Sequence, residues 1–136
     1  MIKWARGLNI PNNFELEKRV QNILEYFYNN DPDCECHISD VDATGYSGNI
    51  LSQKLNDTKT LRLPLSGIIK IFHKEGQIIE MNLKIFCKPG TYLINIRDGC
   101  NVDVLGDNEE LPMAVLGDCI SLDASLFETP SSPTGI

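Results

Sequence analysis

At 136 residues the chain has room for one hydrophobic core and one domain. Its 42% hydrophobic and 23% charged residues are ordinary for a globular protein. A net charge of −7 leaves no basic face for nucleic acid or an anionic leaflet, and no run approaches the roughly 20 apolar residues of a membrane span.

The first seven residues, Met1 to Gly7, lack the continuous apolar core of a signal peptide. Asn12 to Asn30 predicts a helix, because Leu16, Val20, Ile23, Leu24 and Phe27 fall on one apolar stripe. Asn12 is placed to cap its first turn, with Glu15 completing a capping-box pattern, and Asn29-Asn30-Asp31-Pro32 ends it. Next, Cys34, Cys36 and Ile38 alternate as a short strand would, and Gly45, Ser47, Gly48, Asn49 and Asn56-Asp57 mark loop or turns.

Leu61, Leu63, Leu65, Ile69 and Ile71 alternate with Arg62, Pro64, Ser66 and Lys70. After His73-Lys74-Glu75-Gly76-Gln77, Ile79, Met81, Leu83 and Ile85 alternate with Glu80, Asn82 and Lys84. The pattern predicts a hairpin pairing 61–71 with 79–85, its odd-numbered side chains turned onto the stripe from Leu16 to Phe27. Lys88-Pro89-Gly90 is a turn, and Tyr92, Ile94 and Ile96 form a third strand ending at Arg97-Asp98-Gly99. A helix packed on an antiparallel meander is an α+β fold. Beyond Gly106, the short apolar pieces Val115-Leu116 and Ile120-Ser121-Leu122 are expected to dock at the sheet edge. Residues 1–127 then make a single domain, and 128–136, with Pro130, Pro133 and Gly135, a flexible tail.

Five cysteines without framework spacing suit reduced thiols in a cytosolic or nuclear protein, and a cytoplasmic location is expected. Cys34-Glu35-Cys36-His37 has one residue between its cysteines and no second ligand pair, unlike a structural zinc site. On a strand, Cys34 and Cys36 would instead share the buried face, and Cys87 would be a buried thiol. His73 falls in the hairpin turn, which predicts a solvated ring. Asp98, Asp103, Asp107, Glu109, Glu110, Asp118 and Asp123 read as a solvated acidic rim without calcium-loop spacing. Tyr26, Phe27 and Tyr28 read as core and rim at the end of the helix. No phosphate loop, metal or cofactor is expected.

Leu65-Ser66-Gly67-Ile68-Ile69, the turn at Gly76, the strand Ile79 to Phe86, Thr91-Tyr92, Val102-Asp103-Val104-Leu105-Gly106 and Leu111-Pro112 together resemble phrases of the ubiquitin-conjugating-enzyme variant (UEV) domain. That family is the catalytically inactive relative of ubiquitin-conjugating enzymes in endosomal protein sorting. The resemblance spans residues 14 to 112 and implies a conjugating-enzyme-like fold whose C-terminal helices are missing or incomplete here. Leu93 stands where the family has a proline after its tyrosine corner, and Glu80 where an amide is usual. Aligning Ile120-Ser121-Leu122-Asp123 with the active-site phrase of the enzymes puts Ser121 at the thioester position and Cys119 two residues early. A hydroxyl there does not support thioester transfer, so the resemblance implies an inactive domain.

The expected function is a noncatalytic binding module for ubiquitin or a short peptide, with Ile68, Phe72, His73, Ile78, Ile79 and Glu80 as the ligand-binding set. Ile68, Ile78 and Phe72 belong there as apolar side chains on the hairpin's nominal solvent face. The alternatives are a scaffold subunit stabilised by a partner, and a small cysteine-dependent transferase or hydrolase using Cys119, Cys100 or Cys87.

Overall fold

Asn12 opens helix α1 (Asn13–Asn30), its side chain accepting from the Glu15 backbone N–H at 3.1 Å. The computed structural model describes residues 2–43, 60–72, 78–88, 90–98 and 100–127. Leu16, Val20, Ile23, Leu24 and Phe27 are all buried, so the stripe read from the sequence is the face that packs. Asp31 closes the helix, its N–H donating to the Phe27 carbonyl at 2.8 Å.

The helix covers one antiparallel sheet. Its strands are β1 (Trp4–Leu8), β2 (Glu35–Ala43), β3 (Leu61–Pro64), β4 (Ile78–Phe86), β5 (Thr91–Arg97), β6 (Asn101–Gly106) and β7 (Cys119–Leu122). Their spatial order is β3-β2-β4-β5-β6-β1-β7. Strands β4, β5 and β6 form the meander, with Met81, Leu83 and Ile85 facing Ile96, Ile94 and Tyr92 across the first pair. These six side chains are buried in one cluster with the stripe of α1. Fully burying a large aliphatic side chain contributes roughly 1.5–3 kcal/mol, so this layer couples helix to sheet. Cys34, Cys36 and Ile38 join it, as their alternation predicts.

The predicted hairpin does not form. Only Leu61–Pro64 is a strand, and it pairs with β2 rather than β4. Leu65–Phe72 is a second helix, α2, and β4 pairs with β2 and β5. Leu65, Ile68, Ile69 and Phe72 stand at offsets 0, 3, 4 and 7, which is helical spacing as well. Beside a sheet whose next position is already taken by β2, burying Leu65 and Ile68 against α1 wins over continuing the alternation. Pro64 also falls where an edge strand tolerates a residue without an N–H.

Near the C-terminus a single helical turn, α3 (Met113–Leu116), buries Leu116, and β7 forms the sheet edge beside β1. Arg19 of α1 ties this region down, donating to the carbonyls of Asn9, Leu116 and Asp118 at 3.0, 2.6 and 2.9 Å. Gly117 lies under that guanidinium with φ 74°, where an added Cβ would come within 2.9 Å of Arg19. A 3-10 turn follows at Ala124–Phe127. Among the described residues no helix is long and apolar enough to cross a membrane. The loop at 44–59, the turn at 73–77 and the tail at 128–136 lie outside the described residues.

Candidate functional site

One end of the sheet carries a cleft of about 320 Å³. Tyr26, Phe27, Asn30 and Asp31 reach it from the end of α1, Cys87 from the end of β4 and Tyr92 from the start of β5. Residues Asn108 to Leu111, just after β6, form its remaining wall.

Hydrogen bonds and ring packing fix the loop after β6 and Tyr92. Asp107 exchanges bonds with Thr91, its N–H donating to the Thr91 carbonyl at 3.2 Å and its Oδ1 accepting from the Thr91 N–H at 2.8 Å. Trp4 Nε1 donates to the Asn108 carbonyl at 2.9 Å, and Leu111 is buried beneath the loop. Tyr92 packs 4.5 Å from Phe27 and 6.2 Å from Trp4, ring centre to ring centre. Burial pushes the Tyr92 phenol up, against the opposing effect of its hydrogen bond with Asn108.

The cleft is acidic. Asp31, Glu109 and Glu110 line it, and the last turn of α1 has no basic residue to offset the negative end of the helix dipole. Glu110 pairs with Arg6, and that hydrogen bond holds its carboxyl below the ordinary range. Asp31 is buried; its Oδ1 accepts from the Asp33 N–H at 3.2 Å and its Oδ2 from the Lys88 N–H at 2.9 Å.

The expected ligand set is not assembled on a hairpin. Ile68 is 1% exposed inside the core, so it offers nothing to a ligand. Phe72 ends α2, Ile78 and Ile79 begin β4, and Glu80 is exposed on β4. His73 lies outside the described residues, as do the side chains of Phe72, Ile78 and Ile79.

The acidic rim is more structured than expected. Asp103 is 9% exposed and accepts from Arg97 at 2.5 Å, while Asp123 accepts from Ser125 and is held below the ordinary carboxyl range by that bond. The cysteines differ from the expectation too. Cys34 and Cys87 form a disulfide, and Cys36, Cys100 and Cys119 are free. Burial pushes the Cys36 thiol up to about 12, which suppresses its thiolate at neutral pH. His37 sits on the opposite face of β2 from Cys36, against the Phe86 ring at 4.7 Å. Cys119, on β7, is five strands away from β2. Neither thiol is placed to use His37 as a base.

The sheet's other face bears a shallower hollow of about 350 Å³, lined by neutral polar groups with His37, Lys84 and Leu93. It has neither the aromatic wall nor the concentrated charge of the end cleft. Nothing in the sequence pointed to that cleft as a unit, because its parts come from four segments joined only by the fold.

The fold thus defines an α+β protein built on one seven-stranded antiparallel sheet with an N-terminal helix on one face. Comparison with known families, curated proteins and solved structures finds no match to this chain.

Proposed function

We propose that this chain is a noncatalytic binding module that takes a basic segment of a protein partner into the end cleft. The segment is a short peptide or a basic stretch of ubiquitin, the ligand implied by the UEV resemblance. The observation that carries the reading is the juxtaposition of Tyr26 and Tyr92 with Asp31, Glu109 and Glu110 at the end of α1, whose last turn holds no basic residue. A lysine or arginine side chain lays its stem on aromatic rings and its charge among carboxylates, so both parts of the cleft suit it. The net charge of −7 would steer such a partner toward the domain.

Kinship with the UEV domain belongs to the same proposal. A helix preceding an antiparallel meander supports it; the helical conformation of residues 65–69 does not, and the ligand site moves accordingly from hairpin to cleft. Endosomal sorting and a cytoplasmic location remain parts of this reading. In that compartment glutathione favours the dithiol form of Cys34 and Cys87.

Trp4 is the sole tryptophan and donates to Asn108 in the cleft wall, so its emission reports on the site. Titration with an arginine-rich peptide, a glutamate-rich peptide of equal length and ubiquitin should change that emission for the basic peptide and not for the acidic one. Glu109→Lys should weaken the response by about tenfold, the scale of one well-placed charge contact of about 1.4 kcal/mol. Equal responses to both peptides would sink the proposal, and the ubiquitin arm decides between the two ligand sources.

A further inference from the structure

Asp31, Cys34 and Cys87 place a carboxylate oxygen and two sulfur atoms within 4.8 Å of one another. Asp31 and Cys34 belong to the turn that closes α1, and Cys87 to the end of β4, 53 residues along the chain from Cys34. The Asp31 carboxylate bridges these segments, since it accepts from Asp33 N–H on one side and Lys88 N–H on the other. Cys34 is fixed by its own N–H, which donates to the Asp31 carbonyl at 3.1 Å. Asp31 and Cys34 are buried at 7% and 1% exposure, while Cys87 is half-buried.

We propose that this corner, once reduced, is a binding site for a thiophilic divalent cation, Zn²⁺ in the first instance, held by Cys34 Sγ, Cys87 Sγ and an Asp31 carboxylate oxygen. The disulfide is its metal-free form. Two thiolates select a borderline-soft ion over Mg²⁺ or Ca²⁺, which prefer all-oxygen sites. Three protein ligands suit a four-coordinate ion with one open position. Asp31 and Cys87 line the end cleft, so an ion held here would be reached from that cleft.

Charge supports the assignment. Two thiolates, one carboxylate and Zn²⁺ sum to the same single negative charge as the disulfide with Asp31, so the buried corner holds the same net charge in both forms. Two thiols of glutathione supply the reduction. The first attacks one Sγ and displaces the other as thiolate; the second attacks the mixed disulfide, releasing oxidised glutathione and leaving two cysteine thiols. Metal uptake then releases one proton from each thiol. The site shares Asp31 with the cleft but does not rest on the cleft's proposed ligand, and its test contains no peptide.

The full chain, reduced with a phosphine and desalted without oxygen, is mixed with Zn²⁺ or Co²⁺. Expected are one retained Zn²⁺ per chain and, with Co²⁺, thiolate charge-transfer and visible bands of a four-coordinate centre. The oxidised chain, which needs no mutation, should retain no metal and show no bands. Cys87→Ser should lose the bands, and Cys36→Ala, which alters the neighbouring free thiol, should keep them. Asp31→Asn should weaken retention by at least about tenfold, the scale on which even outer partners of metal ligands act. Failure of the reduced wild-type chain to retain Zn²⁺, equal retention by the oxidised chain, or bands that persist in Cys87→Ser would each overturn the proposal.

Discussion

Gly106 and Cys36 show how much single positions decide. Gly106 faces Trp4 across the β1–β6 pair, and an added Cβ would sit 2.7 Å from the indole ring. A Gly106→Ala chain must move the ring, which strains the Trp4–Asn108 bond and loosens the cleft wall. The expected loss is about 1–3 kcal/mol, as for other overpacked sites, with a red shift of tryptophan emission. Unchanged emission and stability would show that the indole does not lie over Gly106. Cys36 governs an alkaline limb. Its folded thiol titrates near 12 against an ordinary value of 9.0, because burial disfavours the thiolate. Between those values the unfolded chain has lost the proton and the folded chain keeps it, so stability falls as pH rises. Urea midpoints measured from pH 7 to about 10 should fall less steeply in Cys36→Ala than in wild type, whatever their difference at neutral pH. Parallel curves would contradict the buried, protonated thiol.

At the scale of elements, α2 is the sharpest lesson. In a hairpin Ile68 would face solvent and its truncation would be nearly neutral. In the helix it is 1% exposed against the core, and Ile68→Ala should cost about 2–5 kcal/mol in urea unfolding. A loss below about 0.5 kcal/mol, the size of a surface change, would restore the hairpin. The sequence carried both periods over residues 61–72, and nothing local chose between them. Pairing did, because β2 takes the place beside β4 that the hairpin needed. By contrast α1, the inward residues of β4 and β5 and the capping role of Asn12 were legible, since each rests on a pattern within one segment. Strands β1 and β6 were not read as strands. They gain their partners from opposite ends of the chain, Trp4 with Gly106 and Leu8 with Val102. The end cleft was illegible for the same reason, and Asp31, read only as part of a helix stop, also holds Lys88 in place.

The whole molecule is stitched between its first helical unit and its meander at the corner where Cys34 meets Cys87. The bond closes a loop of 53 residues that holds β2, β3, α2 and β4, so it withdraws from the unfolded chain a large set of conformations. Loop closure of that length corresponds to about 4 kcal/mol at 25 °C by chain entropy, within the usual range of about 2–4 kcal/mol once native-state effects enter. A domain of this size is typically stable by only about 5–15 kcal/mol, so oxidation state decides a large share of its margin. The urea midpoint of the oxidised chain should therefore exceed that of the reduced chain, and Cys34→Ala/Cys87→Ala should show one midpoint in either condition. The covered face of the sheet already binds α1 through Leu83, Ile85 and Ile94, so the reduced domain is expected to remain folded with a lower midpoint. Coincident midpoints for oxidised and reduced wild type would mean that the pair carries no load in folding. A reduced chain that unfolds without denaturant would mean that the aliphatic layer alone cannot hold helix to sheet.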